Sequence, residues 1–225
     1  MTSFDILVKS LPNLMDGLKA TLGLTAFGIL FGTILGICLA VGRSYGKRPL
    51  PSLIIVYEKV LRGIPLLILL FLLYFGLNQI GIRLDPFPAA IVGLGLRSAA
   101  YQAQIYRGSI DSIPEGQITA AYSLGMSRIK AIRYVILPQI LRLSIPGWSN
   151  EFTILLKDTS LAFSIGVIEL MRQGRYIQVL APDLILVVYI LIALIYFILV
   201  FSINKIMRFV ELKYQMAGYQ VEAHR

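Results

Sequence analysis

Residues 20–42 read ATLGLTAFGILFGTILGICLAVG, an apolar run bounded by Lys19 and Arg43 with no charged side chain inside it. A bilayer core about 30 Å thick asks for about 20 helical residues, so this run is long enough to cross. Working outward, two more charge-free windows follow: residues 63–82, between Arg62 and Arg83, and residues 184–204, between Asp183 and Lys205. The chain as a whole agrees. Of 225 residues 57% are hydrophobic and 15% charged, with a mean hydropathy of +0.76, whereas soluble domains carry about 45–50% apolar and about 25% charged residues. That composition argues against a cytosolic enzyme core. Leu-rich windows without short alternating strands point to helices rather than a barrel. The first run is too long for the apolar part of a cleaved signal peptide, so it is expected to stay in the mature protein.

The fold expected is therefore an all-α integral membrane protein of about five transmembrane helices in one domain, residues 1–225. The spans fall at about 16–42, 54–80, 87–106, 141–166 and 184–206, with a long loop at about 110–139. Two spans are interrupted by charge: Arg97 lies in the third, and Glu151, Lys157 and Asp158 lie in the fourth. A charge at mid-membrane costs roughly 2.5–3.5 kcal/mol on the insertion scale, so these side chains must face protein or water. Snorkelling or a purely structural ion pair is the plainer reading of Arg97 and Lys157.

The net charge of +9, from 21 Lys and Arg against 12 Asp and Glu, comes from residues that flank the apolar runs. No soluble basic module with base-reading or stacking side chains can be drawn, so nucleic acid is not expected as a partner. Arg43, Lys47 and Arg48, then Arg107, Arg128, Lys130, Arg133 and Arg142, then Lys205, Arg208, Lys213 and Arg225 fall on one side. Lys9, Lys19, Arg83, Arg172 and Arg175 make a smaller group on the other. The positive-inside rule places the N-terminus outside and the C-terminus in the cytoplasm. The one cysteine, Cys38, lies in an apolar run, and the one histidine, His224, adjoins the C-terminus, so neither a disulfide within the chain nor a metal site is expected.

The long loop carries helix signals. Ser112-Ile113-Pro114-Glu115 has capping-box spacing, and the helix it opens runs through Ile118, Ala120, Ala121 and Leu124 to a stop at Gly125. Ser127 is placed to cap a second helix, with Ile129, Ile132 and Val135 at helical spacing and an end at Leu137-Pro138. Together they make a compact helix pair.

Thr119-Ala120-Ala121-Tyr122-Ser123-Leu124-Gly125, followed after nine residues by Val135-Ile136-Leu137-Pro138, resembles the EAA loop of ABC-importer permeases, which reads Glu-Ala-Ala, three residues, Gly, nine residues, Ile-x-Leu-Pro. Thr119 stands where that loop has Glu, and Val135 where it has Ile. From about Asn13 to Gln215 the chain looks most like the polar amino-acid branch, the His/Glu/Gln/Arg-type permeases. The matching stretches are Arg62-Gly63-Ile64-Pro65-Leu66-Leu67 with Tyr74-Phe75-Gly76, Ala99-Ala100-Tyr101 with Ile105-Tyr106-Arg107-Gly108, and Lys157-Asp158-Thr159-Ser160-Leu161. The resemblance implies the ABC-importer permease fold in a bacterial or archaeal plasma (inner) membrane. It implies that Thr119, Ala120, Ala121, Gly125, Val135, Leu137 and Pro138 couple the chain to a separate ATPase subunit, which uses ATP and Mg. Its other implied partners are an extracytoplasmic substrate-binding protein, a second permease chain in a homodimer or heterodimer, and a small-molecule amino acid. A helix pair lying flat on the membrane surface is the plainer reading of the loop.

No nucleotide loop is expected in this chain. Gly42-Arg43-Ser44-Tyr45-Gly46-Lys47-Arg48 has three residues between its glycines and Arg where Ser or Thr must hold magnesium. The chain is thus expected to catalyse nothing and to bind no cofactor itself. For a substrate pathway, Asn150, Thr153, Lys157, Ser160 and Ser164 share one sector at 100° per residue, with Glu151 and Asp158, seven apart, at its border. Asn150, Glu151, Thr153, Lys157, Asp158, Ser160 and Arg97 are the candidates. The two carboxylates suit a cationic ligand group, and Lys157 suits a ligand carboxylate or Asp158. A gradient-driven secondary transporter or channel is the alternative, against which stand the missing inverted repeat and the capped helix pair; a structural or sensor subunit would show no dependence on ligand.

Overall fold

The structure, a computed structural model, describes residues 3–214; His224 and Arg225 lie outside the described residues. Every regular element among the described residues is helical. Helix α1, Ser3–Tyr45, runs unbroken for 43 residues, roughly 65 Å at 1.5 Å per residue, so its first turns project well beyond the apolar section.

Helices α2, Leu50–Gly63, and α3, Leu66–Gln79, meet at 105°, so the stretch expected as a span over 54–80 is bent and not one straight helix. Pro65 has no N–H to continue the ladder and keeps its predecessor out of the helical region, and Ile64 is accordingly extended, φ −86°, ψ 129°. Helix α4, Pro86–Asp111, follows an extended Asp85 and lies along α1. Gly32 and Gly36 make that approach possible. A Cβ on Gly32 would stand 2.7 Å from Gln102 Nε2 and 2.9 Å from Ser98 Oγ, and one on Gly36 2.9 Å from Gln102 Cβ. Spacing of four keeps the glycines on one face, so the two backbones close without bulk between them.

Helix α5, Glu115–Ser123, and helix α6, 128–143, form the loop's pair. Helix α7, Ile145–Asp158, gives way to a 3-10 turn at Thr159–Ile165. A single helix over 141–166 is thus not what forms. Pro146 cannot donate to the carbonyl four residues earlier, so the chain bends at Ser144 between α6 and α7. Helix α8, Leu170–Leu180, and the long α9, Ile185–Tyr214, complete the chain.

By length and apolarity alone, two of these helices can cross a membrane, over Asp5–Tyr45 and Pro182–Tyr214, and the bent pair α2–α3 makes a third candidate. Three cores hold the bundle. Leu24, Leu70, Ala90, Leu94 and Leu155 join α1, α3, α4 and α7; Ala40, Tyr106, Ile110, Ile136 and Ile140 join α1 and α4 to α6; Leu14, Leu170, Ile177 and Val188 seat α8 between α1 and α9. Outward on α9, Leu186, Ile190, Leu194, Phe197 and Phe201 are all exposed, a surface that belongs against lipid or another chain.

Candidate functional site

The helix pair and a charged cluster between α4 and α7 are the two places where the predicted residues gather. In the pair, Ser112 is not the cap expected. It retains a near-helical φ −83°, ψ −11° at the end of α4, and its hydroxyl donates to Ser109 O at 2.8 Å. A cap needs extended geometry, and Pro114 already delays the next helix to Glu115, with no side-chain cap. Gly125 does end α5: its φ is +74°, its N–H bonds Tyr122 O at 2.9 Å, and the next N–H, from Met126, bonds Ala121 O at 3.1 Å. Ser127 caps α6 as read, its Oγ accepting from Lys130 N at 3.5 Å.

Pro138 does not end that helix. Residues 132–136 form a wider π turn in which Leu137 N–H reaches back to Ile132 O, so the ladder has already changed register where Pro138 withholds its donor. The extra residue also moves the buried face. Ala131, Ile136 and Ile140 point inward, while Ile129 is 78% exposed, contrary to the Ile129–Ile132–Val135 stripe expected. Of the coupling residues, Thr119, Ala120, Gly125 and Pro138 are exposed, Val135 and Leu137 half-buried, and Ala121 buried. Thr119 spends its hydroxyl on Glu115 O of its own helix, at 3.2 Å. Around this patch Leu124 is 79% and Tyr134 62% exposed. Arg128 fastens the pair to α1, donating to Tyr45 O and lying 5.9 Å over the Tyr45 ring.

In the charged cluster, Arg97 pairs with Asp158, and the neighbouring Ser98 Oγ donates to Glu151 Oε1 at 2.7 Å. Consecutive residues of α4 therefore engage both carboxylates, two turns apart on α7. Lys157, expected as a partner for Asp158, is exposed, and Arg97 takes that place. Arg97 Nε is buried with no hydrogen-bond partner among the described residues, and its guanidinium sits 5.3 Å over the Tyr101 ring. The predicted sector does not hold together beyond this. Asn150 and Thr153 line a separate cavity of about 420 Å³ against Asn204 and Arg208 of α9, with Thr153 Oγ1 donating to Asn150 O at 2.8 Å. Ser160 and Ser164 fall in the 3-10 turn, where three residues per turn replace the 100° step.

A buried polar ladder behind Glu151 went unread in the sequence. Gln102 Nε2 donates to Ser98 Oγ at 3.1 Å, and Gln102 Oε1 accepts from Tyr106 OH and Thr33 Oγ1, both at 2.9 Å. Trp148 Nε1 donates to Thr33 Oγ1 at 2.9 Å. Ser98, Gln102 and Tyr106 recur every four residues, and Gly32-x3-Gly36 faces Ser98 and Gln102; both spacings were visible in the sequence.

A family model described as "Binding-protein-dependent transport system inner membrane component" matches residues 11–215. The L-cystine transport system permease protein TcyB of Bacillus subtilis (strain 168) is 42% identical over 200 residues, covering 89% of this chain and 86% of that protein. The glutamine transport system permease protein GlnP of Escherichia coli (strain K12) is 39% identical over 170 residues, 75% of this chain and 78% of that protein. Among solved structures, an amino acid ABC transporter with histidines superposes with a TM-score of 0.83 at 35% identity, covering 95% of this chain and 99% of that one. The MetNI methionine ABC transporter, at 22% identity and a TM-score of 0.70 over 89% of this chain and 97% of that one, shares the fold.

Proposed function

The chain belongs to the family of binding-protein-dependent transport system inner membrane components, and from that premise we propose how it works as the permease subunit of an ABC importer for amino acids. The observation that carries the reading is the continuity of α4. One end of this helix places Tyr106 and Ile110 in the same core as Ile136 and Ile140 of α6, while two to three turns earlier it holds Arg97 on Asp158 and Ser98 on Glu151. A push on the α5–α6 pair is thereby a displacement of Arg97 and Ser98 against α7.

The pair faces the cytoplasm, where its exposed rim of Leu124, Ile129 and Tyr134 meets a separate ATPase that uses ATP and Mg; this chain adds no hydrolytic chemistry. The N-terminus lies outside, the C-terminus inside, and an extracytoplasmic substrate-binding protein delivers the cargo. A second permease chain completes the pathway in the plasma membrane of a bacterium or archaeon. The cargo is a polar amino acid. Its carboxylate suits Arg97, which carries an unused buried donor, and its ammonium suits Asp158 and Glu151.

Two separate variants test it: a deletion of residues 120–125, and an otherwise intact chain carrying Ser123→Cys with the exposed Cys38 replaced by Ser. The deletion is expected to abolish co-purification of the ATPase while insertion persists, and the reporter to label only from the cytoplasmic side. Retained co-purification or labelling from outside would refute the reading.

A further inference from the structure

Beside the helix pair, where α1 ends, a cavity of about 470 Å³ opens between α1, α2 and α4, walled by Arg43, Glu58, Lys59, Arg62 and Gln104. Its floor is unusual. Glu58 is 2% exposed, and one carboxylate oxygen, Oε2, accepts from both Arg43 and Gln104. The other, Oε1, is buried with no partner among the described residues. A buried acceptor left unmade costs about 1–3 kcal/mol, so this oxygen is poised for a donor that the chain itself does not supply.

The rest of the wall narrows the donor's identity. Three cations stand against one carboxylate, so a simple cation is repelled, while a simple anion would leave Oε1 unanswered. Lys59 and Arg62 are exposed on the wall, and guanidinium matches a carboxylate fork. A small molecule with an ammonium and a carboxylate satisfies both ends. The volume is in the range of small-ligand sites, about 300–1,000 Å³. The cavity also adjoins the cluster already described: Arg62 and Arg97 each lie 5.3 Å from the centre of the same Tyr101 ring. Arg97, Tyr101 and Gln104 follow one another at four and three residues along one face of α4.

We propose that this cavity is a second amino-acid site, which holds the zwitterion on its way out, with its ammonium on Glu58 Oε1 and its carboxylate on Arg62 and Lys59. The proposal rests on the import reading above. Leaving the Arg97–Asp158 cluster, the ligand passes Tyr101 and is caught once more at the end of the bundle that carries the helix pair.

The test measures binding, counted per permease chain, to the importer purified with its ATPase and without the extracytoplasmic binding protein, using a radiolabelled panel of the proteinogenic L-amino acids and L-cystine without nucleotide; import is assayed with that protein restored. The wild-type chain is expected to take up a second equivalent at saturation. Glu58→Gln and Lys59→Gln each lose that equivalent, and Asp158→Asn loses the other. Lys59 is exposed, so Lys59→Gln reads the site without disturbing the buried Arg43–Glu58 pair. A single wild-type equivalent that Asp158→Asn abolishes, or two equivalents retained in both Glu58→Gln and Lys59→Gln, overturns the second site and leaves the import reading standing. Failure of the wild-type complex to bind or import any member of the panel refutes the import reading, and the second site with it.

Discussion

Tyr106 donates its hydroxyl hydrogen to Gln102 Oε1 at 2.9 Å while its ring is packed with Ile136 and Ile140 of the helix pair. One side chain thus belongs both to the core under the helix pair and to the ladder behind Glu151. Tyr106→Phe keeps the ring and removes the bond, worth about 1 kcal/mol net. Ligand-stimulated ATP hydrolysis by the reconstituted complex is expected to fall several-fold with expression and insertion unchanged. Hydrolysis that still responds fully to ligand would show that the ladder does not transmit.

Asp158→Asn strands the Arg97 charge, and Arg97→Gln strands Asp158. Both side chains keep about a quarter of their surface exposed, so water softens the penalty below that of a fully buried pair. Each single variant is expected to lose at least about tenfold in uptake, equivalent to about 1.4 kcal/mol, with a lower thermal midpoint in detergent. The double variant is expected to regain the midpoint but not the uptake.

Gly125 has a φ of +74° with nothing within 4 Å of the place a Cβ would occupy, and Gly116 is equally open without that backbone. Gly125→Ala therefore meets only the left-handed penalty, about 1–2 kcal/mol, whereas Gly116→Ala gains helix propensity. Pull-down of the ATPase is expected to weaken with the first and to hold with the second.

Gly32→Ala places a methyl 2.7 Å from Gln102 Nε2. Overpacking of this kind costs about 1–3 kcal/mol, and the displaced amide is a rung of the ladder. A lower thermal midpoint together with reduced uptake is the expected result, read by fluorescence-detected gel filtration after heating and by a transport assay.

Glu169, in the connection before α8, is fully buried and accepts the N–H groups of Met171 and Arg172 at 2.8 Å each. Burial raises its carboxyl to about 7 from 4.5, against the pull of those bonds and of Arg172. The folded chain therefore holds this proton more tightly than the unfolded one. The stabilisation is full below about 4.5 and is lost as pH rises through about 7. Relative to Glu169→Gln, the wild-type thermal midpoint is expected to decline between pH 5 and pH 8; a constant difference would contradict this.

Composition and charge-free windows carried the helical, membrane-embedded class, because burying residues 20–42 or 184–204 in lipid needs no knowledge of their neighbours. Gly125 and Ser127 were legible for a similar reason, since each acts on backbone within a few residues of itself, Gly125 through its positive φ and Ser127 through its hydroxyl. Ser112 and Pro138 were misread where two local signals compete. The Ser-to-Glu spacing ignores that Ser112 already ends a helix, and the proline rule ignores a π turn placed just before it. The Arg97–Asp158 pair was beyond reach because it depends on which faces α4 and α7 turn to each other. The adjacent Lys157 is nearer in sequence, but Arg97 makes the ion pair.

Tyr45, held by Arg128, is one tip of a rod that has no joint from Ser3 onward and that rests on α4 at Gly32 and Gly36. The same rod enters all three cores, through Leu24, Ala40 and Leu14, so it is the mast to which the rest of the bundle is lashed, and no part of that bundle shifts without loading it.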